Sequence, residues 1–116
     1  MSTKVISNQP AIFVILTALY LHSVAIAEII RVPEDFSVIQ AAINAALEGD
    51  TILISDGTYT GSGNRNLNFN GKNLVLMSVN GPEYTVLDGE RNGRCLELRN
   101  GEDRSSIIRG LMFRNF

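Results

Sequence analysis

The residues able to do chemistry are few, and carboxylates lead them. Asp88 and Glu90 flank Gly89, and Glu102 is followed directly by Asp103. Two carboxylates held several ångströms apart can act as acid and base on a glycosidic bond, or offer hard oxygen ligands to calcium. Both pairs sit in glycine-rich stretches, where Asp and Glu commonly serve turns, and spacing alone fixes neither a carboxyl separation nor a pKa. A structural role is therefore expected for them. The sequence assigns no catalytic residue, no cofactor-binding residue and no metal ligand, and no double-glycine calcium repeat is present. The one histidine, His22, lies inside an apolar N-terminal stretch, and Cys95 is the one cysteine. Histidine-based catalysis beyond that stretch, an intramolecular disulfide and a cysteine-built zinc site are thereby excluded. Cys95 alternates with Leu96 and Leu98 and is expected to face outward as an inert thiol.

Other side chains offer binding chemistry. Arg91, Arg94, Arg99, Arg104, Arg109 and Arg114 make the second half arginine-rich. Stacked on one face they would attract a carboxylate-bearing polymer, because a guanidinium grips a carboxylate through paired hydrogen bonds. Glu90, Glu97, Glu102 and Asp103 are interspersed, so a mixed, solvated surface is the expectation. Asn68, Asn70 and Asn73 are candidates for amide ladders at corners of the fold. Tyr59 and Tyr84 can stack on sugar rings, but each is expected to be a half-buried turn anchor. Net charge is −2 with no run of Lys and Arg, so no nucleic-acid partner is expected.

The positioning elements begin after a leader. Met1 to Pro10 are polar, Ala11 to Leu21 are apolar, and Ala25-Ile26-Ala27 has the A-x-A form of a signal-peptidase site. Residues 1–27 are expected to be a cleaved signal peptide, the alternative being an uncleaved membrane anchor. His22, Ser23 and Glu28 interrupt the apolar stretch, and a span wants about 20 clean residues. The rest is then secreted or at the cell surface, touching a membrane only through an uncleaved leader.

Residues 28–49 read as a short extended strand followed by a capping helix. Pro33 marks a turn, and Asp35 and Ser37 are candidate helix caps. Ser37 with Gln40 has the form of a capping box. Val38, Ile39, Ala42, Ile43, Ala46 and Leu47 draw one apolar stripe along about three helical turns, with Gly49 as the stop. Residues 50–116 switch to short apolar strands punctuated by Asp56-Gly57, Gly71, Asn80-Gly81, Asp88-Gly89 and Asn100-Gly101. Ile52, Val75 and Leu96, and separately Leu67, Val86 and Ile107, recur at a step of about 20 residues. Two interleaved series suggest stacked coils. A β-sandwich also spaces strands evenly, but it typically needs roughly 100 residues and does not open on an amphipathic helix. The end of a coil stack needs a cover, and the helix is placed to supply one.

Val32 to Ala46, then Gly49-Asp50-Thr51-Ile52 and Gly57-Thr58-Tyr59, resemble the opening of pectin-lyase-like and pectinesterase-like right-handed parallel β-helix proteins. Asn73 to Met77 with Thr85 to Gly89, and Ile107 to Asn115, are similar to the following coils. The resemblance implies an all-β fold: the start of a right-handed parallel β-helix with an N-terminal amphipathic capping helix, incomplete at its C-terminus. Its family hosts esterases, lyases and adhesin-like proteins, so fold does not fix function. The catalytic aspartates of the pectinesterase-like members lie downstream of the segment matching Leu111 to Asn115, so none carries over. The expectation is a non-catalytic or incomplete secreted or cell-surface module contacting extracellular polysaccharide, with further β-helix coils of a longer protein as a possible neighbour. The alternatives are the N-terminal fragment of a polysaccharide-active enzyme and a structural solenoid spacer of an adhesin.

Overall fold

The computed structural model describes residues 26–116. The leader reading falls almost wholly outside these residues. Among them, no helix is long and apolar enough to cross a membrane.

Strands dominate and every ladder is parallel. The strands are β1 (Ile29–Val32), β2 (Thr51–Ile54), β3 (Gly57–Tyr59), β4 (Leu67–Asn68), β5 (Val75–Ser78), β6 (Thr85–Asp88), β7 (Leu96–Glu97), β8 (Ile107–Arg109) and β9 (Met112–Arg114). One α-helix, α1 (Ile39–Ala45), and a single 3-10 turn at Ser62–Asn64 are the only helical pieces described. The strands form a four-stranded sheet in the order β1-β2-β5-β8, a three-stranded sheet β3-β6-β9 and a two-stranded sheet β4-β7. From β2 onward the chain visits the three sheets in rotation, so beyond the β1-β2 pair strands adjacent in a sheet are three apart in strand order.

Parallel pairing with unshifted register stacks like on like. Ile30, Ile52, Leu76 and Ile108 form one row across the first sheet. Val32, Ile54 and Ser78 form another. Tyr59, Leu87 and Phe113 align in the second sheet, and Leu67 faces Leu96 in the third. Ile52, Ile54, Leu67, Phe69, Leu74, Leu76 and Leu87 are fully buried and make the core with Val32 and the helix. Fully burying a side chain of this size contributes about 1.5–3 kcal/mol. The alternation puts Thr51, Leu53, Val75 and Met77 on the other face of the first sheet, where they are only partly covered.

The row spacing corrects the sequence reading. Along the Ile30 row the steps are 22, 24 and 32 residues, and Leu67 to Leu96 is 29. Leu96 pairs with Leu67, not with Val75, and Ile107 sits beside Val75, not in a series with Val86. Passes therefore share a register but not a length. Corner segments such as Gly89–Arg94 and Asn100–Ser106 absorb the difference, and a constant step missed them.

The helix also differs from expectation at both ends. It spans seven residues, its N-cap is Val38, and no side chain of its own segment caps it. The Ile39 N–H instead donates to Asn64 Oδ1 at 2.9 Å, from 25 residues downstream. Gln40 is not half of a capping box: its amide brackets Asn68, donating to the Asn68 carbonyl and accepting from the Asn68 N–H. At the other end, Lys72 Nζ donates to the carbonyls of Ile43 and Ala46, both at 2.6 Å. Helix ends leave orphan backbone groups, and here distant passes satisfy them. Ile39, Ala42, Ile43 and Ala46 are buried as the stripe requires, while Leu47, beyond the helix, is exposed. Val32-Pro33 is a cis peptide bond, consistent with the turn expected at Pro33.

Candidate functional site

The two carboxylate pairs are built into turns. Asp88, the last residue of β6, accepts from the Glu90 N–H at 2.9 Å, Asn115 Nδ2 at 3.0 Å and Arg114 Nε at 2.9 Å. Those bonds, the Glu90 N–H first, hold its carboxyl below the usual range. Glu90 and the following Arg91 both take positive φ, and Glu90 reaches the Gly61 N–H and Arg65. Between them Gly89 has no room for a side chain: a Cβ would come within 2.5 Å of the Phe116 ring and 2.7 Å of the Asn115 carbonyl. Asp88 and Glu90 thus point into different passes rather than toward a common reacting atom.

The second pair is similarly occupied. Desolvation pushes the Glu102 carboxyl up, but N–H donors from its own backbone, Gly71 and Asn100 outweigh it and leave the group below its ordinary value. The Gly71 and Asn100 bonds are 2.9 and 2.7 Å, one to each oxygen. Asp103 accepts from the Ser105 N–H at 2.7 Å, and that bond lowers its pKa. Lowered carboxylates are poor general acids at neutral pH, since an acid role needs the group raised toward the working pH. No group of three or more His, Cys, Asp or Glu side chains placed to hold a metal ion occurs among the described residues.

The arginines are dispersed, as the charge interleaving implies. Arg94 and Arg99 both pair with Glu97, Arg65 with Glu90 and Arg114 with Asp88. The amides do bond between passes: Asn70 Nδ2 to Asn44 Oδ1, Asn100 Nδ2 to Asn68 Oδ1, and Asn73 between Glu48 and Asp103. They lock corners. Cys95 is half-buried, and burial pushes its thiol up to about 11, which keeps it protonated and unreactive.

The two tyrosines part company. Tyr59 is an anchor, buried where a half-buried one is expected, its hydroxyl donating to the Ser55 carbonyl at 2.8 Å. Tyr84 is 56% exposed. Its carbonyl accepts the Gly57 N–H at 2.8 Å, which fixes it beside the Asp56-Gly57 turn of the preceding pass. At that same corner an open groove of about 300 Å³ is lined by Ser55, Asp56, Val79 and Asn80. Asn80 Nδ2 donates to Asp56 Oδ1 at 3.0 Å, and Ser55 Oγ donates to Glu34 at 2.8 Å. Val79 is half-exposed and supplies an apolar patch. Burial, and then the negative charges of Glu34 and Asp56, raise the Tyr59 phenol above its ordinary value.

Sequence reading did not single out this corner. Asp56 was visible as a turn residue and Tyr84 as an aromatic, but they lie 28 positions apart, and only the parallel register joins them. No protein family, curated protein or solved structure matches the chain at a significant level.

Proposed function

We propose that the chain is a non-catalytic carbohydrate-contacting module of the right-handed parallel β-helix type, secreted or held at a cell surface. On this reading the three parallel sheets are the faces of one coil stack, and α1 covers its first coil. Rotation of the chain among the sheets and the aliphatic rows at constant register support the fold. Secretion rests on the apolar leader and its Ala25-Ile26-Ala27 site alone.

The observation that carries the function is the corner groove. Half-exposed Val79 provides apolar surface, and Asp56, Asn80 and Ser55 provide hydrogen-bonding groups beside it. An apolar side chain with adjacent carboxylate, amide and hydroxyl groups suits a sugar, whose ring has an apolar face and a polar edge. Catalysis finds no comparable support, because each paired carboxylate is engaged by backbone N–H donors.

The test joins binding to turnover. Purified protein is incubated with a panel of insoluble polysaccharides and pelleted, and released methanol and unsaturated uronate absorbance are followed on pectin-type substrates. Retention in the pellet without turnover is expected. Turnover abolished by Asp88→Asn or Asp103→Asn would replace this reading with an enzyme. Neither retention nor turnover would leave a structural spacer.

A further inference from the structure

We infer that Asn92 is a site of spontaneous covalent modification, where the side-chain amide is lost through attack by the Gly93 backbone nitrogen, independently of what the groove binds. The chain carries four Asn-Gly pairs: Asn70-Gly71, Asn80-Gly81, Asn92-Gly93 and Asn100-Gly101. A glycine after asparagine has no Cβ to shield its nitrogen and turns freely, so each pair is chemically able to react. What separates them is how the fold holds the two reacting groups, the asparagine amide and the N–H that follows it.

Two pairs are held at both groups. Asn70 Nδ2 donates to Asn44 Oδ1 at 3.0 Å, and the Gly71 N–H donates to Glu102 at 2.9 Å. Asn80 Nδ2 donates to Asp56 Oδ1 at 3.0 Å, and the Gly81 N–H donates to Ser78 Oγ at 2.9 Å. Asn100 is held at one group: its Nδ2 reaches Asn68 Oδ1 at 3.3 Å, while the Gly101 N–H has no partner among the described residues. Asn92-Gly93 is held at neither. Both residues are exposed, and among the described residues no hydrogen bond engages the Asn92 amide or the Gly93 N–H. The related attack at Asp56-Gly57 and Asp88-Gly89 is hindered, because the Gly57 and Gly89 N–H groups donate to the Tyr84 and Arg114 carbonyls at 2.8 and 2.9 Å. Around Asn92 the corner itself is anchored. The Asn92 N–H donates to the Gly89 carbonyl at 2.8 Å, and the Arg94 N–H donates to Asn66 Oδ1 at 2.8 Å.

The reaction is a hydrolysis, with water as its co-reactant. The Gly93 nitrogen gives its proton to solvent base and bonds to Asn92 Cγ. The Cγ–Nδ2 bond breaks, and Nδ2 takes up a proton and leaves as ammonia. Water then opens the cyclic imide at either carbonyl. Opening at Cγ gives aspartate, opening at the main-chain carbonyl gives isoaspartate, and nothing is oxidised or reduced. Either product sets a new carboxylate on the exposed corner between Arg91 and Arg94.

The experiment incubates the full chain at pH 8 in ¹⁸O-water, beside a sample unfolded in guanidinium chloride. Digestion after glutamate at mildly acidic pH isolates Asn92 in the peptide Arg91 to Glu97 and Asn100 in Leu98 to Glu102. Fragmentation resolves Asn70 from Asn80 within Gly49 to Glu83, and mass spectrometry reads the ¹⁸O gain at each site. In the folded chain Asn92 is expected to convert at least about tenfold faster than Asn70 and Asn80, the order of effect of two hydrogen bonds that must first break. Asn100 is expected to fall between them. In guanidinium chloride the four rates are expected to draw together. Asn92 converting no faster than Asn70 or Asn80 in the folded chain would overturn the inference. The same spread of rates in the unfolded chain would also overturn it, assigning the difference to local sequence rather than to the fold.

Discussion

Replacing Lys72 with methionine removes the ammonium that closes the C-terminal end of α1 and keeps most of the aliphatic stem. Lys72 lies 26 to 29 positions downstream of its partners, and Nζ bonds the Ile43 and Ala46 carbonyls at 2.6 Å and approaches Asn44 at 3.5 Å. A seven-residue helix has too few internal bonds to hold itself, so its ends must be satisfied from outside. A hydrogen bond to a charged group is worth about 1.5–3 kcal/mol, and these sites are only partly buried, so a loss of about 2 kcal/mol is expected for Lys72→Met. In a folded part of 91 residues that loss lowers Tm by roughly 8–16 °C. Urea unfolding followed by far-ultraviolet circular dichroism reads the effect as a shift in midpoint at constant slope. A change under about 0.5 kcal/mol, the range of ordinary surface substitutions, would show that the helix end is closed by other groups and refute the reasoning.

Three further outcomes follow from the buried and titrating groups. Thr85 is fully buried and its hydroxyl has no partner among the described residues, so the near-isosteric Thr85→Val is expected to stabilise by about 1 kcal/mol in the same unfolding assay; destabilisation would mean the hydroxyl is bonded. Cys95, with its thiol at about 11, is expected to react with iodoacetamide at pH 7.5 about a hundredfold more slowly than a free thiol; equal rates would show it accessible and ionisable. Asp88, Glu97, Glu102 and Asp103 all have folded pKa values below their ordinary ones, so they favour the folded state above the unfolded carboxylate pKa. That contribution is lost as pH falls through the depressed values, and the urea midpoint should hold from pH 7 to 5 and drop below about pH 4. A midpoint that rises on acidification would reverse the sign.

The strands were legible because short apolar runs stop at Asp56-Gly57, Asn80-Gly81 and Asp88-Gly89, where the chain must turn. The helix was legible from the Ile39, Ala42, Ile43 stripe, which is buried as the spacing requires. Its ends were not, because Asn64 and Lys72 cap it through space, and no local signal marks a partner 25 or more residues away. The row membership of Leu96 and Ile107 was misread for a related reason: register is set between passes, and corner lengths vary freely without disturbing it. Tyr84 was expected to be an anchor like Tyr59. Composition is the same for both, and only the placement of Tyr59 in the inward row beside Leu87 separates them.

The claim at the centre of the account is that the groove of Ser55, Asp56, Val79 and Asn80, and not the paired carboxylates, is the working surface. A ¹⁵N-edited correlation spectrum of the chain, titrated with cellohexaose, tests this residue by residue. The account predicts saturable shifts confined to residues 55–58 and 79–85, with Asp88 to Arg91 and Glu102 to Asp103 unmoved. Shifts centred on Asp88 to Arg91 or on Glu102 and Asp103, with the corner silent, would contradict it.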